Sequence, residues 1–200
     1  EKSKTRRHLT EFWMLEPEIA FADLTMVCDV AEGMIRYTIR QVLEHCAQDL
    51  LDLEQDAQTL QAWDKDWPRL KYDDAAVMLM GWKADGVYES DFQPGDDLGA
   101  PDETALGNHY GCPVMVTHWP KEVKAFYMKR DEQNPDQVLG VDIIAPTAGE
   151  IVGGAVREDD HDVLLERIKK HDLPVDAFQW YLDLRKFGSV SHGGFGIGLE

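Results

Sequence analysis

The chain has 200 residues, of which 44% are apolar and 29% charged, and its formal net charge is −18. These values predict one domain, or a large part of one, with a substantial hydrophobic core. The acidic balance argues against broad non-specific binding of nucleic acid, DNA included. No apolar run approaches the roughly 18 residues that a membrane span needs. We therefore expect a cytoplasmic protein with no membrane partner.

The cysteines and the first residue add two further expectations. Cys28, Cys46 and Cys112 are scattered and form no CxxC pair, which predicts reduced thiols rather than disulfides or a metal–thiolate site. The sequence opens on Glu1 without an initiator Met, which indicates a fragment of a longer protein.

Residues 8–16 predict a strand rich in bulky side chains, which Pro17 ends. Because strand side chains alternate between two faces, His8, Phe12 and Glu16 share one face. His8 could contact a phosphate there, and Phe12 could form an aromatic platform for a base. A structural histidine and a core phenylalanine are the alternatives.

Helical spacing of apolar residues follows over residues 23–60, with Asp23 as a possible N-cap. Residues 61–112 are less regular and predict an insertion of short helices and loops. We expect the acidic residues of this insertion to be solvated loop charges: Asp96, Asp97, Asp102 and Glu103.

The second half of the chain predicts a sheet with two helices. The predicted strands are 113–118, 124–129, 138–145, 150–157 and 192–200. A helix over 161–170, capped by Asp159 or Asp160, and a helix over 176–185 come before the last strand. Consecutive strands on short connections favour antiparallel pairing, so the expected fold class is α+β, with an antiparallel sheet flanked by helices.

The last strand has an unusual pattern of glycines. Gly194, Gly196 and Gly198 alternate with Phe195, Ile197 and Leu199. Glycine inside a strand is unfavourable and often marks the close approach of a ligand or of another backbone. The pattern predicts a bare face on which a flat ligand can lie, and an apolar face that packs into the core. A flexible tail is the alternative.

Two carboxylates and an arginine lie within predicted strands of the second half. Asp142 and Glu150 are surrounded by apolar residues, and such carboxylates must be paired, hydrogen-bonded or bound to a cation. Two carboxylates with substrate phosphates form a usual Mg²⁺ site. Arg157 is seven residues after Glu150, so a bulge at Gly153 and Gly154 is needed to bring both to one face. Edge charges that face solvent are the alternative.

Four segments in order resemble the class II aminoacyl-tRNA synthetases of the aspartyl, asparaginyl and lysyl subgroup, most closely the asparaginyl-tRNA synthetase family. Residues 1–16 resemble the later part of motif 2. Pro120-Lys-Glu-Val-Lys-Ala-Phe-Tyr-Met128 and Gly149-Glu-Ile-Val-Gly-Gly-Ala-Val-Arg157 resemble asparaginyl and aspartyl enzyme segments, and Gly194-Phe-Gly-Ile-Gly-Leu-Glu200 resembles motif 3. The resemblance implies a partial class II catalytic domain over residues 1–200.

The resemblance also implies a role for each matching residue. Residues implied to bind ATP are Glu1, Arg7, His8, Leu9, Phe12, Glu150, Gly198, Leu199 and Glu200. Residues implied to bind the amino acid are Glu16, Gly153 and Arg157. Asp142 and Glu150 are implied to hold Mg²⁺, and Glu150, Arg157 and His8 are implied to be catalytic. Ala155 departs from the family, which often has serine there.

For the complete enzyme, the resemblance implies ATP-dependent activation of asparagine to asparaginyl-adenylate and transfer of the acyl group to tRNA(Asn), by a homodimer. Motif 1 and the anticodon-binding domain lie outside this sequence, as do the arginines of motif 2 and motif 3. We therefore expect weak or no adenylation by these 200 residues alone. The alternatives are an aspartyl-tRNA synthetase, a synthetase-like asparagine synthetase and a non-catalytic nucleotide-binding paralogue.

Selection of asparagine over aspartate requires a nearby carboxylate. Arg157 can donate to the side-chain oxygen of either amino acid, whereas a carboxylate accepts from the amide NH₂ and repels aspartate. Glu16 is the first candidate because it shares a strand face with Phe12. Glu11 ranks below Glu16 because it points to the other face in a regular strand.

Overall fold

The computed structural model describes residues 9–199, which form one seven-stranded sheet with helices on both faces. The sites expected at Glu1, Arg7, His8 and Glu200 lie outside the described residues. The strands are β1 Met14–Leu15, β2 Glu18–Ala20, β3 Arg69–Lys71, β4 Val114–Pro120, β5 Gln137–Ala145, β6 Gly149–Val156 and β7 His192–Gly198.

The strand order is β1-β7-β6-β5-β4-β3, with β2 also paired with β7. The pairing is antiparallel apart from β3 with β4. The expected α+β fold with a mainly antiparallel sheet is therefore confirmed.

Two of the helices, α1 and α6, begin at caps that the sequence predicted. They are α1 Leu24–His45, α2 Ala47–Asp52, α3 Ala57–Trp63, α4 Tyr72–Ala84, α5 Ala100–Tyr110, α6 His161–Lys170 and α7 Gln179–Lys186, the last preceded by a 3-10 turn at Val175–Phe178. The Asp23 carboxylate accepts a hydrogen bond from the Met26 amide (2.8 Å), and Asp160 accepts from the amides of Asp162 and Val163 (both 2.9 Å).

The prediction of a single helix over 23–60 is wrong beyond His45. The helix is interrupted at Cys46, and the short helix that follows ends at Asp52. Asp56 accepts hydrogen bonds from the Gln58 amide and the Thr59 hydroxyl, and so starts a new helix. Such local side-chain bonds compete with continuation of the preceding helix.

The two faces of the sheet are covered differently. On one face α1 packs its apolar side, including Val27 and Ala31, against Ile143, Val152 and Phe195. On the other face α4 and α5 pack on β3, β4 and β5 and on part of β6. The rest of β6 and β7 is left open on this second face and forms the floor of a cleft.

Residues 61–112 are not an insertion, contrary to the sequence prediction. Tyr72, Leu79, Phe92 and Leu106 are buried together with Trp119 in the larger core cluster. These residues come from α4, α5 and the connection between them, so the segment supplies one layer of the fold. Its irregular appearance in the sequence reflects two short helices joined by a long loop.

Asp102 is not a solvated loop charge, whereas Asp97 is exposed, as expected. Asp102 is 2% exposed and accepts hydrogen bonds from the Gly99 amide (2.8 Å) and the Tyr88 hydroxyl (3.1 Å), which closes the start of α5. Asp97 forms an ion pair with Lys124.

The strand predicted over 124–129 is wrong, since the chain there makes only isolated bridges, from Met128 to Arg157 and from Arg130 to Val138. The buried Arg167 guanidinium donates to the carbonyls of Met128 (2.7 Å) and Ala125 (3.2 Å). A side chain thus satisfies carbonyls that a neighbouring strand would otherwise satisfy.

The strand predicted over 8–16 is shorter than expected. Pairing with β7 begins at Met14, opposite Gly198, because β7 ends there. Pro17 interrupts the strand but does not end it, since pairing resumes at Glu18 opposite Gly194.

Within residues 9–199, no helix combines the length and apolar composition that a membrane span requires.

Gly107 fixes the distance between α5 and the β5–β6 turn. A Cβ at Gly107 would lie 3.0 Å from the Pro146 Cα and N atoms, whereas a Cβ at Gly81 in α4 would meet nothing within 4 Å. We expect Gly107→Ala to lower the free energy of unfolding by about 1–3 kcal/mol through overpacking. The matched Gly81→Ala should raise it by about 0.5–1 kcal/mol. Urea denaturation measures both; equal effects of the two variants would contradict this packing.

Candidate active site

A cleft of about 770 Å³ lies on the open half of the sheet. Its floor is formed by β6 and β7. One wall is the segment that contains Phe12, Met14, Glu16 and Glu18, and the other wall is the irregular segment 123–128. The cleft therefore brings together the start, the middle and the end of the described chain.

The glycines of β7 serve two different purposes. Gly196 and Gly198 line the cleft, and a Cβ at Gly198 would lie 3.7 Å from the Phe12 ring, an ordinary contact distance, so the ring lies close to the bare strand. A Cβ at Gly194 would lie 2.7 Å from Glu18 Cδ, so this glycine is required by the crossing of β2. Phe195 is buried on the opposite face, as the alternation predicts.

An extra residue in β6 sets the direction of the Glu150 side chain. Ile143 pairs with Val152 but Ile144 pairs with Glu150, so Ile151 is a bulge residue. The bulge turns Glu150 to the face that carries Asp142 and Gly153, which pair directly across β5 and β6. The sequence prediction placed this bulge at Gly153 and Gly154, so its position was wrong by two residues.

The missing side chain of Gly153 provides space for the Glu150 carboxylate. A Cβ at Gly153 would lie 2.8 Å from Glu150 Oε1. Gly153 itself pairs with Gly196 of β7, so two neighbouring strands present backbone to the cleft at this level. The floor thus has an acidic side and a bare side.

Asp142 and Glu150 resist ionisation in this environment. Burial raises the pKa of Asp142 to about 6, against the opposing effect of Lys124. Burial, followed by the negative charge of Asp142, raises the pKa of Glu150 to about 7. Asp142 is 5% exposed, whereas Glu150 keeps contact with solvent at the cleft. A bound cation would relieve both effects.

Sequence reasoning missed Lys124, which lies beside this carboxylate pair. Its ammonium is 2.7 Å from Asp142 Oδ2 and 3.0 Å from Asp97 Oδ1. Burial opposes the charged form, but the ion pairs with Asp142 and Asp97 outweigh it and raise the pKa of Lys124. No local sequence signal marks these long-range pairs.

Sequence reasoning also missed Glu18, the partner of Arg157. The Arg157 guanidinium donates to Glu18 Oε1 from Nη2 (2.6 Å) and from Nε (3.1 Å), and it lies 5.1 Å from the Tyr127 ring centre. Glu18 continues the alternation of Phe12, Met14 and Glu16, which could have identified it had Pro17 not been interpreted as the end of the strand.

Most of the predicted site residues that the structure describes line this one cleft: Phe12, Glu16, Asp142, Glu150, Gly153, Arg157 and Gly198. Leu9 and Leu199 are exposed and are not part of its lining. Within residues 9–199, no group of three or more His, Cys, Asp or Glu side chains is arranged to hold a metal ion. A divalent cation would therefore need oxygen ligands beyond Asp142 and Glu150.

Comparison with known proteins identifies the family. A family model described as tRNA synthetases class II (D, K and N) matches residues 1–200. The chain belongs to this family of class II tRNA synthetases. The asparagine–tRNA ligases of Koribacter versatilis (strain Ellin345) and Pelotomaculum thermopropionicum are 50% and 48% identical to this synthetase chain over 201 residues.

Solved structures agree with this assignment and confirm the class II fold. The crystal structure of asparaginyl-tRNA synthetase from Pyrococcus horikoshii, complexed with asparaginyl-adenylate, has a TM-score of 0.91 and 43% identity. The match covers 99% of this chain and 44% of the Pyrococcus chain. An aspartyl-tRNA synthetase from Entamoeba histolytica has a TM-score of 0.84 and 26% identity, with 100% of this chain and 41% of that one covered.

This synthetase chain spans less than half of the curated relatives named above. All of its length aligns, but it covers 46% of the Koribacter protein and 45% of the Pelotomaculum protein.

Because the negative charge on Glu150 is unfavourable, we expect the stability of the folded protein to depend on pH. The folded synthetase binds a proton at Glu150 more tightly than the unfolded chain, because its pKa is raised from 4.5 to about 7. Stability without metal should therefore fall as the pH rises from about 4.5 to 7. Glu150→Gln removes this loss, so its melting temperature in EDTA should exceed that of the wild type at pH 8 and match it near pH 4.5.

The exposed Glu44→Gln variant is the control for this melting experiment and should show no such pH-dependent difference. A Glu150→Gln protein that melts below the wild type at pH 8 in EDTA would contradict the unfavourable environment assigned to this carboxylate.

Proposed function

We propose that the protein carrying this chain is an asparagine–tRNA ligase. It activates asparagine with ATP to asparaginyl-adenylate and pyrophosphate, and then transfers the asparaginyl group to tRNA(Asn). The observation that carries the proposal is the common cleft, in which an arginine–glutamate pair lies across a glycine floor from two carboxylates. The asparagine–tRNA ligases at 48–50% identity support the choice of amino acid.

The nucleotide fits the bare part of the floor. We assign the adenosine to the part of the cleft beside the exposed Phe12 ring, where an aromatic face can stack on a base. Glu1, Arg7, His8, Leu9, Leu199 and Glu200 keep the ATP-binding roles that the family resemblance implies. Reaction at the α-phosphate then depends on positioning and on neutralisation of charge, without a protein nucleophile.

Mg²⁺ fits the acidic side of the floor. Asp142 and Glu150 are oxygen donors whose negative charge is unfavourable by itself, and Mg²⁺ commonly combines one or two carboxylates with substrate phosphates. When bound, the ion would neutralise phosphate charge and hold the phosphates in position.

The side chain of the amino acid fits against the paired Arg157 and Glu18. An asparagine side chain offers one acceptor and one NH₂ donor, which match a guanidinium and a carboxylate that already lie side by side. An aspartate side chain would place a second carboxylate against Glu18. We therefore assign the selective carboxylate to Glu18 rather than to Glu16 or Glu11, because Glu18 is the acid bound to Arg157.

The remaining partners follow from the same proposal. We propose that the whole protein is a homodimer that binds tRNA(Asn), and that it works in the cytoplasm, where the charged tRNA is used. An aspartyl-tRNA synthetase and a synthetase-like asparagine synthetase are the competing enzymes. The aspartyl-tRNA synthetase from Entamoeba histolytica shares the fold, with a TM-score of 0.84.

Amino-acid-dependent ATP–pyrophosphate exchange and tRNA charging by the complete protein test the proposal. We expect exchange with asparagine to be strongly favoured over exchange with aspartate, followed by transfer of asparagine to tRNA(Asn). A preference for aspartate would indicate the aspartyl enzyme, and release of free asparagine with ammonia would indicate the synthetase-like enzyme. Either result would contradict the proposed function.

Glu18→Gln tests the assignment of the selective carboxylate. We expect KM for asparagine in the exchange reaction to rise roughly 10- to 100-fold, because a charge-assisted hydrogen bond to the amide is lost. The preference for asparagine over aspartate should fall, since the carboxylate no longer repels aspartate. Glu16→Gln is the matched control, two residues away on the same cleft wall, and should change the preference less. Equal losses for both amino acids in Glu18→Gln would rule out this role.

A further inference from the structure

Lys124 is held in a fixed position at the acidic side of the cleft. Its ammonium lies 2.7 Å from Asp142 Oδ2, 3.0 Å from Asp97 Oδ1 and 3.8 Å from the centre of the Trp119 ring. Its side chain is 11% exposed. Two carboxylates and an aromatic face therefore hold a nearly buried positive charge, with little solvent to screen it.

This ammonium uses a carboxylate that a metal ion would also need. Asp142 Oδ2 already accepts a hydrogen bond from Lys124, whereas Glu150 forms no ion pair with any residue in the range 9–199. Without nucleotide, a divalent cation at this side of the cleft would meet the unpaired Glu150, with the charge of Glu103 nearby, but Asp142 and Asp97 are already paired with a positive charge. It would also lack the further oxygen ligands that Mg²⁺ requires.

A nucleotide changes this balance of charge. Bare Mg²⁺ carries two positive charges and is repelled by Lys124, whereas the complex of Mg²⁺ with ATP is negatively charged overall. Its phosphates also supply the oxygen ligands that the described side chains do not provide. The same ammonium thus disfavours the free ion and tolerates the ion bound to ATP.

We propose that Lys124 keeps free divalent cations out of the cleft, so that the metal enters together with ATP. The inference rests on the proposed function for the identity of the nucleotide. Lys124 acts through its ion pair with Asp142 and is a positioning residue rather than a catalytic one. A purely structural role, tying the Asp97 loop to β5, predicts no change in metal affinity.

Titration of the complete, nucleotide-free protein with Mn²⁺, followed by electron paramagnetic resonance of the free ion, tests the inference. We expect weak binding by the wild type and at least about tenfold tighter binding by Lys124→Met, because a nearby repulsive charge is gone. Lys124→Arg keeps the charge and should remain close to the wild type. Lys121→Met is the matched control on the same segment, since Lys121 pairs with the exposed Asp136.

Lys124→Gln provides a second neutral variant that can still donate a hydrogen bond to Asp142, should the Met variant fail to fold. Tighter Mn²⁺ binding by the folded neutral variant supports the inference. Unchanged or weaker binding overturns it. The metal titration contains neither ATP nor asparagine, so its result is independent of the exchange assay. Absence of asparagine-dependent exchange in the wild type overturns the proposed function instead.

Discussion

The single extra residue in β6 determines the whole arrangement of the cleft. In a regular strand, Glu150 would point to the opposite face from Gly153 and Arg157, toward the core under α1. The bulge at Ile151 turns the carboxylate to the open face, and Gly153 leaves the space that this carboxylate fills. Without both features, the acidic side of the floor would have one carboxylate in place of two, and α1 would meet a buried charge.

The open half of the sheet contains features that reduce the stability of the fold and make a binding site possible. Its floor lacks side chains at Gly153, Gly196 and Gly198, and its acids have a raised pKa because they are poorly solvated and close together. The covered half of the same face, under α4 and α5, is packed with apolar residues. Clusters of unfavourable groups of this kind are typical of functional sites, where binding of substrate compensates for them.

The sequence predicted those parts of the structure that depend on local patterns. Alternation in β7 correctly placed Phe195 in the core, and the caps at Asp23 and Asp160 marked the starts of two helices. Most of the predicted site residues that the structure describes share one cleft because strand alternation is a local property. The functional roles expected for these residues came from the family resemblance. Their spacing indicated only which face of a strand each side chain occupies.

The sequence could not predict the features that depend on distant partners. Lys124 appeared to belong to a strand, because nothing nearby indicates that Arg167 satisfies the local carbonyls. Glu18 was missed because Pro17 ends a strand in isolation, whereas here β7 continues beside it. Asp102 appeared solvated because its partner Tyr88 lies across a loop, and the pairing of the exposed Asp97 with Lys124 was missed because Lys124 is distant in sequence.

The position of β7 has a consequence for the order in which the chain can fold. This strand lies between β6 and the two short strands β1 and β2, so residues 14–20 and 192–198 are neighbours although nearly the whole chain separates them. Within residues 9–199, β1 and β2 pair with β7, and these pairings can form only after β7 emerges from the ribosome. Contacts of such long sequence separation form late, so in a nascent chain the edge of β6 remains available to chaperones or to incorrect partners.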